Sequence, residues 1–424
     1  MSTHIQSITG RHWKTGDWIS IEFNQKKILC VSSAAHGSRN APWLAPSLLD
    51  LQVNGYGGVD FQKQSLTEAS LMKAVEALNR DGCPRFFLTL TTSDWPSILS
   101  KLKRIKVWRD NNPTLRECIA GWHVEGPFLS EEPGYCGAHD TSVMEDPSPE
   151  KINMLKEITQ TDPTLLTLAP ERPGSMESIL HASQLGMRVS LGHTNADTAC
   201  LSAAASAGAT GFTHLGNACP QKLDRHDNLI FRVLDSESWM TGIIPDGVHV
   251  SPALFRILHN LIPLNQIYYT TDAMSAAGAA PGRYTIGNIE VEVGDDQVVR
   301  QPGQSNFAGS ALKPSEGITR AARMLHTNWR DVWNHFSEIP SATLDLGKEN
   351  RSLRCNNMQL LDQDADGDQE IILSLGSPFR GFAIINATSN GLSLIKKVRP
   401  DELLVGSGLL YVGVVDYDGD GYDD

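Results

Sequence analysis

Between residues 48 and 273 the chain repeats one unit eight times: a short apolar or β-branched run, then a segment whose apolar residues keep helical spacing. The runs are LLDLQVNG (48–55), RFFLTLTT (85–92), IAGWHVEG (119–126), LLTLAPE (165–171), RVSLGHTN (188–195), TGFTHLGN (210–217), MTGIIPDG (240–247) and IYYTTDA (267–273). Between them lie stretches such as LTEASLMKAVEALNRDG and NADTACLSAAASAGA, amphipathic and with glycine near the end, as helices commonly are. Strands apolar on both faces and separated by helices belong in a parallel sheet. Eight such units in about 230 residues suit a closed (β/α)8 barrel of the α/β class, with an open doubly wound sheet as the competing arrangement.

The same repetition says where chemistry can sit. Gln52, Asn54, Glu125, His193, His214, Asp246 and Asp272 all fall at or just beyond the C-terminal ends of predicted strands. In a barrel those ends converge on the face that carries active sites. Glu125 is the sharpest case, because GWHVEGPFL sets a carboxylate between Val124 and Gly126-Pro127 at the end of an otherwise buried strand. A single His or Glu at a strand end is ordinarily a solvated or hydrogen-bonded loop residue. One Glu, two His and one Asp on four different strand ends fit that reading poorly. A buried carboxylate without a partner costs several kcal/mol, whereas a divalent cation neutralises it. Two imidazoles and one carboxylate are also the ligand set of a catalytic metal site with an open position for water.

Charge and composition narrow the partners. A net charge of −13, from 36 Lys+Arg against 49 Asp+Glu, argues against a nucleic-acid or anionic-membrane surface, so an anionic ligand must meet local positive groups. The seven cysteines are odd in number and scattered, with no CxxC pair, which reads as reduced cytoplasmic thiols. The opening MSTHIQSITGRHWKTG has no apolar signal core, and no apolar run approaches 18 residues, so a soluble cytoplasmic protein is expected.

The motifs HVEGPFL, SLGHTNAD, THLGNACP, PDGVHVSP and TTDAMSAAG, in that order, resemble those of the N-acetylglucosamine-6-phosphate deacetylases of the amidohydrolase superfamily, over roughly residues 1–345. The resemblance implies that Glu125, His193 and His214 bind the catalytic divalent metal, that Asp272 is the general acid/base, and that His249 polarises the amide carbonyl or orients the substrate. It further implies that Asn217, the Ala218 backbone and Arg225, all in GNACPQKLDRHDN, contact the sugar phosphate, that His139 in GYCGAHD lies near the sugar and acetyl group, that Gln52 also faces the substrate, and that the protein is a homodimer. Many amidohydrolases carry an HxH pair on the first strand for a second metal. Here Gln52 and Asn54 stand in those positions, and neutral amides are poor ligands for a transition metal, so one metal is expected. Imidazole plus carboxylate without thiolate suits zinc.

The chemistry follows without the family. Amide hydrolysis needs a nucleophile stronger than neutral water, and a metal with an open position lowers the pKa of water to about 7. Asp272 can take the proton and return it to the leaving amine. The metal and His249 would stabilise the tetrahedral oxyanion. The substrate expected is N-acetylglucosamine 6-phosphate. An unphosphorylated amino sugar, a cyclic amide, or metal binding without catalysis are the alternatives.

The chain divides as 1–47, strands of a small β-sandwich part; 48–345, the barrel; and 356–424, an atypical β-rich acidic tail. The strand-rich closing segment expected by resemblance is not recognisable there. Instead two stretches share the pattern D-x-D-x-D-G-x-x-[D/E]: Asp362, Asp364, Asp366 with Glu370, and Asp416, Asp418, Asp420 with Asp424. Oxygens at alternate positions of a glycine-turned loop suit Ca2+, and the stretches resemble FG-GAP repeats. Two such units cannot close a propeller, which needs at least about four blades. A solvated acidic tail, or a fused or truncated reading frame, are the competing readings.

Overall fold

The computed structural model describes residues 5–24, 28–37, 41–236, 239–302 and 307–344, and the backbone of four strands within 358–398. Four strands open the chain: β1 (Gln6–His12), β2 (Trp18–Phe23), β3 (Ile28–Ser33) and β4 (Trp43–Pro46). The first barrel strand is β5 (Leu49–Val53), followed by the small hairpin β6 (Gly55–Tyr56) and β7 (Val59–Asp60). The other seven barrel strands are β8 (Arg85–Thr91), β9 (Ile119–Glu125), β10 (Thr164–Leu168), β11 (Arg188–Leu191), β12 (Gly211–Phe212), β13 (Met240–Ile243) and β14 (Ile267–Tyr269). Every one of the eight predicted runs overlaps one of these strands. They form a parallel sheet in chain order, β5-β8-β9-β10-β11-β12-β13-β14.

The sheet closes on itself. Val53 bridges Ala273 in parallel, and the Asn54 N–H donates to the Ala273 carbonyl at 2.7 Å. A side-chain staple reinforces the seam. Buried Asp50 on β5 accepts from the hydroxyls of Thr270 (2.6 Å) and Thr271 (2.5 Å) and from the Thr271 N–H. Burial pushes its pKa up to about 6 against the pull of these donors. Asp50→Ala leaves those donors unsatisfied and is expected to cost about 2–4 kcal/mol at pH 5, read by urea denaturation. The sign of the pH dependence follows from the raised pKa. Between the ordinary 3.8 and about 6 the folded state binds this proton more tightly, so the wild-type advantage over Asp50→Ala shrinks as pH rises through that window. A gap independent of pH would contradict the raised pKa of Asp50.

Helices cover the strands through regular apolar faces. In Glu68–Arg80, Leu71, Ala74, Val75 and Leu78 are buried, and the Thr67 hydroxyl caps the first turn by accepting from the Ser70 N–H. Near the N-terminal ends of the strands, Leu49, Leu51, Phe87, Ala120, Leu165 and Tyr268 pack with Ile339 and Leu344 into an apolar plug. Above the plug runs a polar layer. His123 meets the Thr89 and Thr167 hydroxyls, Thr167 meets Thr213, and Thr213 meets Ser190, at 2.7–3.4 Å. Only the C-terminal mouth is left open for chemistry.

Two features depart from the sequence reading. A three-stranded antiparallel flap, β15 (Gly282–Ile286), β16 (Ile289–Val293) and β17 (Val299–Arg300), follows β14 unannounced by the eightfold pattern. Its tip is tied to the barrel where Asp60 accepts from Thr285 Oγ1 and from the Gly287 N–H, and Gly287 turns through a φ of 58° that favours glycine. The second departure concerns the tail, where closing strands do exist. Strand β18 (Met358–Leu361) pairs antiparallel with β4 and completes a five-stranded sheet, β18-β4-β1-β2-β3. Strands β19 (Gln369–Ile372), β20 (Phe382–Thr388) and β21 (Gly391–Val398) make an antiparallel meander. Of the calcium candidates, Asp362, Asp364, Asp366, Asp416, Asp418, Asp420 and Asp424 lie outside the described residues, and Glu370 is described in its backbone alone. Among the described residues no helix is long and apolar enough to cross a membrane.

Candidate active site

Glu125 ends β9, and His193 and His214 leave β11 and β12 through left-handed backbone, with φ of 51° and 32°. Asp272 does the same after β14, at 51°. Left-handed conformations cost non-glycine residues about 1–3 kcal/mol each and persist where the surroundings fix them. Here they turn three side chains from three strands toward one point.

At that point His214 Nε2 lies 2.9 Å from Glu125 Oε1 and His193 Nε2 lies 3.5 Å from the same oxygen. All three residues are buried, and one ligand atom from each lies within 4.8 Å of the others, close enough for a single ion to bridge them. Burial alone would push Glu125 up, but the two histidines hold it well below the usual carboxylate range. Burial would likewise lower His214, and Glu125 more than compensates, raising it. The cluster thus already stabilises positive charge beside the carboxylate. His193 Nδ1 sits 3.0 Å from the Tyr135 carbonyl, which can only accept, so Nδ1 carries the proton and Nε2 keeps its lone pair toward the cluster. Donor chemistry, tautomer and spacing all fit a divalent cation.

Around the cluster stand three further groups. Asp272 Oδ1 accepts from Gln52 Nε2 at 2.9 Å and Asn54 Nδ2 at 2.6 Å. Burial first, then the charge of Glu125, pushes its pKa up to about 6. His249 holds Asp246 through Nδ1 at 2.6 Å and packs its ring 5.3 Å from Phe307. Burial would raise Asp246, but the His249 hydrogen bond takes it below the ordinary range. His139 packs edge-on against His193 at 4.4 Å, holds Thr92 Oγ1 through Nδ1 at 2.7 Å, and is pushed by burial to about 3, so it is neutral.

These groups line one cavity of about 760 Å3, shared by Glu125, His139, His193, His214, Asn217, Ala218, His249 and Asp272, with Phe307 and the flap tip Ile286–Ile289 on its wall. Two expected substrate contacts fall elsewhere. Gln52 is 2% exposed, spends its amide on Asp272 and is not on the cavity wall; Arg225 is exposed on a loop outside the lining. The orienting roles of Asn54 and Asp246 were foreshadowed only by their strand-end positions. His123, Tyr135, Thr92 and the flap gave no sequence signal, because a carbonyl, a hydroxyl or an apolar tip acts here through position alone.

Fold and site together define a barrel hydrolase of the amidohydrolase type, with a buried Glu-His-His cluster that can hold a metal ion beside an oriented carboxylate. A scan against models of protein families finds no match. The chain is 35% identical over 323 residues to the N-acetylglucosamine-6-phosphate deacetylase of Rattus norvegicus, covering 73% of this chain and 76% of that relative. It is 29% identical over 342 residues to the N-acetylglucosamine-6-phosphate deacetylase of Bacillus subtilis, covering 78% and 83%. The crystal structure of N-acetylglucosamine-6-phosphate deacetylase from Pasteurella multocida matches with a TM-score of 0.74 at 22% identity, over 94% of this chain and 99% of that one, a likeness of fold. The chain belongs to the N-acetylglucosamine-6-phosphate deacetylase family of the amidohydrolase superfamily.

Proposed function

We propose that the protein hydrolyses the N-acetyl amide of N-acetylglucosamine 6-phosphate to glucosamine 6-phosphate and acetate. The observation that carries this reading is the buried Glu125-His193-His214 cluster in one cavity with Asp272, whose carboxylate is aimed by two amides. Glu125, His193 and His214 would hold one divalent metal, with zinc the best chemical fit, and when bound it would supply Lewis-acid activation of water and of the amide carbonyl. Asp272 takes the proton from the attacking water and returns it to the nitrogen, so that the amine leaves neutral. With Oδ1 held by Gln52 and Asn54, the proton travels on Oδ2. His249, its Nδ1 held by Asp246, polarises the amide carbonyl or orients the substrate. Asn217 and the Ala218 backbone position the sugar, and His139 packs at its acetyl end. A homodimer and a cytoplasmic location belong to the same reading; six cysteines among the described residues are free, in keeping with reduced thiols.

Arg225, outside the cavity wall, serves the phosphate from the rim or from the second subunit of a dimer. Losing such a charge-assisted hydrogen bond costs about 1.5–3 kcal/mol, roughly 10- to 150-fold in kcat/KM. Arg225→Ala is therefore expected to impair the phosphorylated sugar by that factor and barely touch unphosphorylated N-acetylglucosamine. Initial rates of acetate release on both sugars check this. Equal wild-type rates on the two would move the reading to the unphosphorylated amino sugar, and equal losses would make Arg225 a structural residue.

A further inference from the structure

Asp50 lies on β5, fully buried and outside the cavity wall, yet two supports of Asp272 pass through it. On its own strand, Oδ1 accepts from the Gln52 N–H at 3.1 Å, and Gln52 is the residue whose Nε2 donates to Asp272 Oδ1 at 2.9 Å. Across the seam, Asp50 accepts from the Thr270 and Thr271 hydroxyls and from the Thr271 N–H, in the two residues that lead into Asp272. Thr271 carries this contact one step further. Its Oγ1 accepts from the Ala273 N–H at 3.1 Å, so one hydroxyl spans Asp272 from the residue before it to the residue after it. That short loop encloses the left-handed φ of 51° at Asp272, a conformation that costs a non-glycine residue about 1–3 kcal/mol and needs support from its surroundings. The charge of Asp50 matters to the arrangement. With its pKa pushed up to about 6 by burial, Asp50 is ionised at neutral pH and can only accept. The Thr271 hydroxyl must then donate its one proton to Asp50, which leaves its lone pairs for the Ala273 N–H. An amide in place of this carboxylate would turn an N–H toward the Thr271 hydroxyl in one orientation, or toward the Gln52 N–H and the Thr270 hydroxyl in the other, and either way would break one of the two supports.

We propose that Asp50 is a positioning residue for the reaction: from outside the cavity, through Thr271 on one side and Gln52 on the other, it fixes the carboxylate of Asp272. The bonds that close the barrel seam are thereby the bonds that aim the proton carrier. The effect of Asp50 on turnover rests on the deacetylase reading above; its effect on the placing of Asp272 does not.

The test uses the full-length metal-loaded protein with Asp50→Asn, alone and combined with Asp272→Asn. On N-acetylglucosamine 6-phosphate, Asp50→Asn is expected to lower kcat about 10- to 100-fold, the scale of a misplaced reacting group, with KM within about twofold of the wild type. In the Asp272→Asn background the same change should cost less than about threefold, because the group it aims has already lost its function. Loss by the same factor in both backgrounds would make Asp50 a fold-stabilising residue only, and an undiminished kcat in folded Asp50→Asn would overturn the positioning role outright. If Asp50→Asn does not fold, Thr271→Val removes the relaying hydroxyl while keeping its shape, and carries the same cycle with the same outcomes deciding. A crystal structure of whichever variant folds reads the placing of Asp272 without turnover. Asp272 released from its left-handed backbone, or from the Gln52 and Asn54 amides, is the expected result; Asp272 placed as in the wild type overturns the positioning role. Failure of the wild type to release acetate would sink the deacetylase reading and leave that structural comparison to decide alone.

Discussion

Asp272→Asn is expected to keep the fold and the metal and to lose about 10²- to 10⁴-fold in kcat, roughly 3–5 kcal/mol of barrier. Asparagine preserves the shape and offers Oδ1 to the same two amides, Gln52 Nε2 and Asn54 Nδ2. What it cannot do is carry a proton from water to nitrogen. The loss should therefore fall on kcat, with circular dichroism and metal content unchanged. Chain closure at Val53–Ala273 runs through the backbone beside this residue, so a folding defect would appear first as lost thermal stability and can be told apart. A variant retaining near wild-type kcat would make Asp272 a structural acceptor and the proton route wrong.

His193→Ala should do more, because it removes one of the three proposed ligands and not a proton carrier. Metal analysis of wild-type protein is expected to give one transition-metal ion per active site, falling to near zero in the variant, with activity lost alongside it. Chelation of the wild type followed by return of a divalent metal should restore acetate release, whereas the same return to His193→Ala should not. Two tightly held transition metals per site would contradict the reading of Gln52 and Asn54 as non-ligands, which rests on amides that donate to Asp272 and leave no charged group for a second ion.

How much of this was visible in the chain itself varies by residue. The barrel was legible because its strands are mostly apolar or β-branched runs between amphipathic helices, and β9 and β10 are buried at every residue. Glu125, His193, His214 and Asp272 were legible for the converse reason, since polar residues that end apolar strands have few structural explanations. The flap was not, because Gly282–Ile286 and Ile289–Val293 bury only part of one face and read as ordinary exposed loop. Nor was the burial of Lys101, which sits in the helix Trp95–Asn111 among Lys103, Arg104 and Lys106 and looks from the sequence like one more solvated cation. From the same helix Arg104 fastens the loop at 62–65, some 40 residues earlier, a contact that spacing along the chain does not announce. Gln52 was legible as a strand-end residue, but not as the donor to Asp272. Spacing along a strand shows that a side chain reaches the mouth of the barrel; which neighbour claims its amide is decided by the strand across the seam.

The central claim is that one oriented carboxylate beside one Glu-His-His metal cluster cleaves an N-acetyl amide on a sugar phosphate. Its most direct test is product analysis by proton and phosphorus NMR, with purified metal-loaded protein and N-acetylglucosamine 6-phosphate. Equal amounts of acetate and glucosamine 6-phosphate, formed by the wild type and suppressed in Asp272→Asn, are the predicted result. Intact substrate with a full complement of metal, or phosphate released in place of acetate, would contradict it.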